Sequence, residues 1–538
     1  MQSKATSLTV LLGLILGALL LGLGGACDRN QVQSTPKPAP ATASLRIYAL
    51  SNLAGALEPC GCQNDMLGGV DHLAALVEAG RRETPSLVVG AGPLFFMNPV
   101  LESTRETQDT WNAEALAHSL REIGVSAWAP GFNDWAAGGE QLGLLGKQSG
   151  AAILGGNLSG LSTLKQTRVV DVGGVKVGIA GVSLPKYQAA LPDGIDTKQL
   201  APALKAARDA LKAEGAKLLV ALVTAPRGES LRLAELAEGF QLLVVGKPFD
   251  QGEGNDKPIP PTLVGQTLVV QAQNHAQSVA VVDVFLRDGS FELQDGSGIA
   301  AESERESLTG RVAELDKRIA VWEKTKSIKP EELAQKKQER ATLQSKLAQL
   351  ASPKAPDQGS FFRYQLLQVK EAAGESKAVA GQLKTYYKRV NDHNRVAFKD
   401  RSPPPVPAGE GGYIGVEKCA TCHADEHKFW KGTQHARAYA TLSNDHKEFN
   451  LDCVSCHVTG YEKPGGTTVT HVQGLTDVQC EVCHGPGELH AKQPGKAGLI
   501  TRTPLKSVCA GCHHPPHVGE DWDVNEAWTH IVGPGHGG

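Results

Sequence analysis

A chain of 538 residues with a formal net charge of −3 has room for about three domains. Its hydrophobic fraction of 41% and charged fraction of 21% are those of a globular protein and not a disordered one. The near-neutral balance, without a basic stripe or aromatic-basic interleaving, excludes the nucleic-acid-binding class.

Residues 1–26 hold one early cation, Lys4, an apolar run from Leu8 to Leu23 and then Gly24-Gly25-Ala26. This reads as a secretory signal with a small-residue cleavage site. With Cys27 directly after it, the segment resembles a bacterial lipoprotein signal, which makes Cys27 a candidate for lipidation. It departs from that pattern at Gly24, where an aliphatic residue usually stands. Plain cleavage and an uncleaved anchor helix are the alternatives. Asp28 resembles the inner-membrane retention signal of some lipoproteins. Residues 27–44, with Pro36, Pro38 and Pro40 among small polar residues, are expected to form a tether.

Over residues 45–299, short apolar runs (Leu45 to Leu50, Ser86 to Gly90, Leu218 to Thr224, Leu242 to Val245) alternate with helical patterns (Gly69 to Arg82, Trp111 to Gly124, Ala203 to Glu214). Strands this short, bounded by Gly and Pro and separated by helices, predict an α/β domain with a largely buried sheet. The runs Val175 to Val182 and Leu268 to Val284 add β structure, expected to close a second sheet. The order of segments resembles the calcineurin-like metallophosphoesterases, specifically the catalytic domain of periplasmic 5'-nucleotidases, a two-sheet sandwich flanked by helices. The resemblance includes Leu45 to Gly55 as first strand and metal loop, Gly68-Gly69 before the first helix and Val172 to Gly178 as a hairpin.

The family's metal ligands are replaced one after another. Asn52 and Ala54 stand for the aspartate and histidine of the first motif, and Pro93 for the bridging aspartate. Gly131-Phe132-Asn133-Asp134 stands for Gly-Asn-His-Glu, and Ala225, Lys247 and Phe249 for the later histidines. Two-metal hydrolysis needs carboxylate and imidazole ligands, so the resemblance implies a domain without hydrolase activity. Cys60-Gly61-Cys62 lies in the loop after the first strand. It is a structural pair or a redox-active dithiol, since a bridge between residues two apart is strained and easily reduced. A metal site using both thiolates is disfavoured, because no histidine pattern completes it.

Residues 300–352 change to charged helix formers. Leu308, Val312, Leu315, Ile319 and Trp322 alternate steps of four and three, and Leu333, Arg340, Leu343, Leu347 and Leu350 continue after a break at Ile328-Lys329-Pro330. This predicts an antiparallel coiled-coil hairpin, expected as a brace between domains, with a docking arm or dimer interface as the alternative. Residues 353–412 read as a connector: a strand from Phe361 to Val369, a helix from Lys377 to Asn394 and a linker containing Pro403-Pro404-Pro405.

Residues 413–538 contain Cys419-Ala-Thr-Cys422-His423, Cys453-Val-Ser-Cys456-His457, Cys480-Glu-Val-Cys483-His484 and Cys509-Ala-Gly-Cys512-His513. Two thiols two residues apart can add to the two vinyl groups of one porphyrin, and the following imidazole then reaches the iron. The alternative, structural zinc, needs no histidine after the second cysteine, yet one is present every time. Four covalent haem c groups are the expectation, with His423, His457, His484 and His513 as proximal ligands. So little chain per site predicts a mainly α and irregular multihaem fold whose core is largely porphyrin. Trp430-Lys-Gly-Thr-Gln-His435 and Cys480-Glu-Val-Cys-His-Gly-Pro-Gly-Glu-Leu-His490 resemble the tetrahaem cytochrome c-554 family. That resemblance implies His435 and His490 as distal ligands, with His530 and His536 competing for a third position. His427, His446, His471, His514 and His517 are expected to be ordinary surface histidines.

The leading expectation is an exported, lipid-anchored electron carrier on the periplasmic side of the inner or outer membrane. Its partners would be redox proteins or a quinone-linked donor and acceptor, and the α/β domain would be a binding module. One rival is a haem oxidoreductase acting on a small nitrogen or sulfur compound at a five-coordinate iron. The other is an active phosphoesterase coupled to a redox domain.

Overall fold

The computed structural model describes residues 42–59, 66–324, 329–350, 355–514, 517–518 and 522–533. The signal segment, Cys27, Cys60, Cys62 and His536 lie outside them. No described helix is long and apolar enough to cross a membrane.

The α/β part begins with β1 (Leu45–Ser51), α1 (Val70–Glu83), β2 (Ser86–Ala91), α2 (Glu106–Ile123), β3 (Val125–Ala129), α3 (Gly138–Ser149) and β4 (Ala152–Leu154). Next come the short β5 (Leu158–Ser159) and β6 (Leu164–Lys165), the hairpin β7 (Thr167–Val172) and β8 (Val175–Ser183), and β9 (Asp196–Thr197). It continues with α4 (Leu200–Ala213), β10 (Leu218–Thr224), α5 (Arg227–Leu236), β11 (Leu242–Gly246), β12 (Thr262–Val264), β13 (Thr267–Val270), β14 (Ser278–Phe285) and β15 (Gln294–Asp295). Two helices follow, α6 (Ile299–Trp322) and α7 (Pro330–Gln349), then β16 (Phe361–Gln368) and α8 (Lys377–Ala397).

One sheet has the order β15-β16-β14-β1-β2-β3-β4-β6 and the other β12-β13-β11-β10-β8-β7, while β5 pairs with β9. The period-2 alternation of side chains sorts the apolar residues into three layers. Leu45, Ile47 and Ala49 of β1 meet Leu218, Val220 and Leu222 of β10 between the sheets. Tyr48 and Leu50 face the other way, onto Leu73 and Val77 of α1, Leu116 and Leu120 of α2, and Val379 and Leu383 of α8. Leu219, Ala221 and Val223 face Leu204 and Leu211 of α4 and Leu233 of α5. Both faces of both sheets are covered, which is why the central strands read as unbroken apolar runs.

Two expectations change. The Leu268 to Val284 run does not stay in one sheet: β13 joins the second and β14 pairs with β1 in the first. The break falls at His275 and Ala276, both at positive φ (53° and 57°). The connector is also part of the α/β domain, because β16 pairs with β14 along its whole length and α8 packs on the first core. The helical hairpin is therefore an insertion that leaves and rejoins one domain, not a brace between two. Its helices run antiparallel, with Arg340 on Asp316 at 3.0 Å and Lys337 on Glu323 at 2.6 Å. They share an apolar seam of Leu308, Leu315 and Leu343.

The C-terminal part is built of short helices such as Val416–Ala420, Ala424–Trp430 and Cys480–His484. Its largest apolar cluster is small: Val454, Val458, Val469 and Val472, backed by Phe398 and Tyr439. The segment around Asn450 docks between α2 and α8 through buried amides. Asn394 donates to Gln108 Oε1 and to Phe449 O, both at 2.9 Å. Gln108 donates to Asn450 Oδ1 at 3.3 Å, and Asn391 Oδ1 accepts from Phe449 N at 3.0 Å. Ion pairs between Arg105 and Asp452 and between Lys447 and Glu58 flank them.

Candidate haem centres and the polar pocket of the α/β domain

The two sequence phrases around the attachment motifs work as brackets. Trp430 Nε1 donates to Val478 O at 2.9 Å, and Val478 N donates to His435 O at 3.1 Å, which fixes His435 against the third motif. Glu481, inside that motif and 2% exposed, accepts from Ile414 N (3.0 Å), Gly415 N (2.8 Å) and Gly487 N (2.7 Å). Gln479 accepts from Val416 N at 2.6 Å. Sequence reasoning passed over Glu481 and Gln479. The only available signal was an acidic residue between two cysteines that must approach a porphyrin.

These brackets bring histidines from distant motifs close together. The rings of His423 and His490 have centroids 6.3 Å apart, and those of His513 and His435 lie 6.1 Å apart. Imidazoles bind transition metals through nitrogen at about 2 Å, so two rings facing one metal atom stand roughly 6 Å apart between centres. The donor sets therefore fit haem iron. Burial holds both His435 and His513 below the usual imidazole range, which keeps them neutral as metal ligation requires. His457 Nδ1 lies 2.5 Å from Ala438 O, and His484 Nδ1 lies 2.7 Å from Thr501 O. Bonds of this kind turn the opposite nitrogen toward a metal.

His530 lines one cavity of about 360 Å³ together with His435, Gln434 and Arg437. Among the described residues no histidine ring is paired with His457. His517, expected on the surface without a role, instead pairs with Glu253 of the α/β domain at 2.8 Å. The thiols also influence one another across motifs, Cys419 with Cys480, Cys456 with Cys512 and Cys483 with Cys509. The first motif thus lies near the third, and the fourth near both the second and the third.

The positions expected to replace phosphoesterase ligands also come together, and protein groups take up most of their bonding, although Asn52 Nδ2 is buried without a hydrogen-bond partner among the described residues. Asn52 Oδ1 accepts from Lys247 N at 2.7 Å. Asn133 donates to Phe96 O and Asp250 O, each at 2.9 Å, and accepts from Asp250 N at 3.0 Å. Asp134 accepts from Leu94 N, Phe95 N and Gly131 N at 2.8–2.9 Å. Its complete burial raises its pKa to about 7 against the opposing pull of those bonds. Lys247 Nζ lies 3.1 Å from Asp250 and 2.9 Å from Asp256. Burial works against its charge, but the two carboxylates outweigh it and raise its pKa. A fixed ammonium thus sits between carboxylates where the resemblance would put metal. Ala54 and Ala225 are buried, and Phe249 is partly exposed against Tyr187. The sheets approach so closely here that a Cβ on Gly246 would lie 2.3 Å from Gly92 O. Among the described residues no group of three or more His, Cys, Asp or Glu side chains could hold a metal ion.

Residues 418–485 match the model of the family "Cytochrome c554 and c-prime". A curated relative, cytochrome c-554 of Nitrosomonas europaea, is 32% identical over 139 residues, which is 20% of this chain and 59% of the relative. The chain thus spans about three fifths of that relative's length. Among solved structures, a 5'-nucleotidase precursor from Thermus thermophilus is 17% identical at a TM-score of 0.45, covering 67% of this chain and 61% of its own. A sulfate thiohydrolase from Thermus thermophilus is 16% identical at 0.44, covering 66% and 62%. The calcineurin-like phosphoesterase of Bacillus subtilis is 18% identical at 0.38, covering 46% and 87%. The C-terminal segment is thus similar in sequence to cytochromes c554, a family with covalently bound haem c, and it shares its chain with a two-sheet α/β domain.

Proposed function

We propose that this protein is an exported tetrahaem electron carrier of the periplasm, held to a membrane through Cys27, whose α/β domain binds or docks without hydrolysing. The observation that carries the reading is the pairing of imidazoles from different motifs, His423 with His490 and His513 with His435. We assign His490 and His435 as distal ligands on that basis and place haem at each of the four motifs, the fourth of which lies beyond the residues matched by the family model. Haem iron with two imidazoles supplies one-electron exchange without binding substrate. The protein's own residues bring the motifs together and orient the His457 and His484 rings through Ala438 O and Thr501 O. Donor and acceptor are redox proteins or a quinone-linked partner.

The α/β domain reading is supported by the Lys247 ammonium and the saturated bonding of Asn133 and Asp134. Phosphatase assays with added divalent metal should show no activity; turnover at the rate of a true phosphoesterase would overturn that part. A second reading, haem oxidoreductase chemistry, is favoured at one place, His457, which faces no second histidine ring among the described residues. Optical spectra of the purified protein with haem counted per chain test both. Four haems without a carbon monoxide shift leave the carrier. One shifting haem that is lost in His457→Ala favours substrate chemistry there. Absence of covalent haem sinks the whole reading.

A further inference from the structure

We propose that the exposed loop from Lys492 to Lys506 is the docking surface for an acidic electron-transfer protein. This deepens the electron-carrier reading and rests on it. Three observations converge. The first is charge: between His490 and Gly519 there is no Asp or Glu, while Lys492, Lys496, Arg502 and Lys506 all fall in that stretch. Around the first two attachment sites, from Glu417 to Glu462, acidic residues outnumber basic ones, and the whole chain is net negative. The basic region is therefore local and lies at one end of the haem-bearing segment.

The second observation is an apolar centre. Leu505 is 77% exposed, the most exposed large hydrophobic residue among those described. Arg502 and Lys506 flank it in sequence, and Lys506 is steadied by Asn525 at 2.8 Å. A small apolar centre inside a charged rim is the anatomy of a transient interface, in which charge steers the encounter and a small apolar contact lets the partners part quickly.

The third is attachment to the redox sites. Thr501 O accepts from His484 Nδ1 at 2.7 Å, and the 3-10 turn Lys506–Gly511 runs from Leu505 straight through Cys509. A partner seated here abuts the third and fourth sites without crossing protein. An anionic membrane surface would also attract the cations. The loop, however, offers one exposed apolar side chain and no amphipathic helix to insert, whereas membrane-surface binding scales with buried apolar area.

The test uses the full haem-loaded chain in its oxidised form and an acidic plant-type ferredoxin, reduced, as donor. Each productive encounter oxidises the cluster by one electron and reduces one ferric haem iron to ferrous, with no bond made or broken. Stopped-flow rates should fall steeply with salt for the unaltered protein. Lys496→Glu with Arg502→Glu should lower the low-salt rate about tenfold and flatten the salt dependence. Leu505→Ser should slow the reaction at every salt concentration. Haem content and the rate of reduction by neutral reduced lumiflavin should be unchanged in both. Variants that carry haem and accept electrons from lumiflavin, yet react with ferredoxin like the unaltered chain, overturn the docking surface and leave the carrier reading intact. So does binding to anionic phospholipid vesicles that the charge reversals abolish while ferredoxin rates hold, since the loop would then be a membrane contact. A chain without covalent haem overturns both.

Discussion

In the α/β domain, successive residues of β1 and β10 enter separate apolar layers, and every layer is closed by protein. Between Tyr413 and Gly533 the largest apolar cluster is four valines and their neighbours, and imidazoles and thiols from distant motifs converge instead. In the first region the positions where the resemblance expects metal ligands hold the protein's own amides, carboxylates and one ammonium. The second keeps its ligand pattern and leaves the bonding to the cofactor. One chain is therefore expected to hold a domain with a complete protein core beside a segment whose folding is coupled to covalent loading.

The sharpest way to break that contrast is to remove thiols. Cys480→Ala with Cys483→Ala should cost the third haem and, with it, the order of the C-terminal segment. Limited proteolysis should then release a fragment ending near the Pro403-Pro404-Pro405 linker, while the α/β domain keeps its cooperative unfolding. A C-terminal segment that stays protected without that haem would show that protein alone builds its core.

Next in size is a purely apolar deletion on the other side. Leu222→Ala, at a fully buried position between the sheets, should destabilise the α/β domain by about 2–5 kcal/mol. The visible spectrum of the haems should not change. Urea denaturation followed by circular dichroism and by haem absorbance separates the two responses.

The junction should respond less. Asn394→Ala removes both bonds to Gln108 and Phe449 and should cost about 1–3 kcal/mol through the unsatisfied groups it leaves. If the regions unfold in separate transitions, the loss should appear in the one that parts them. No change in either transition would mean the amide network carries no net stability.

The smallest effect is a pH slope. Asp134 has a folded pKa raised to about 7 from an ordinary value of 3.8. The native state therefore binds more protons than the unfolded chain between those values. Its contribution is fully present below about pH 4 and declines as pH rises toward about 7. Asp134→Asn should flatten that decline in the urea midpoint of the α/β domain; a slope identical to the parent would remove Asp134 as its source.

What the sequence disclosed followed the range of the interactions. The attachment motifs are local, two thiols and an imidazole within five residues, so chemistry alone names them. The strands of the α/β domain were legible because burial on both faces leaves unbroken apolar runs such as Leu218 to Thr224. Partners far apart in the chain were not legible. Pairing of β16 with β14 crosses the inserted hairpin, and nothing in Phe361 to Gln368 announces which sheet it joins. The facing of His490 on His423 and of His435 on His513 depends on Glu481 and Trp430 gripping backbone elsewhere, and only family resemblance pointed to those histidines. The resemblance drew attention to Asn52, Asn133 and Lys247, but not to Lys247 standing between Asp250 and Asp256.

Glu481 carries a consequence for biogenesis. The carboxylate that ties down Ile414, Gly415 and Gly487 sits between the two thiols of the third motif. Thioether formation at Cys480 and Cys483 must take place on either side of this buried carboxylate, so the grip on Ile414 and Gly415 is expected to tighten once the haem is attached. A chain that misses this step is expected to keep the start of the segment, beside the proline linker, loose, which limited proteolysis of haem-free protein would reveal.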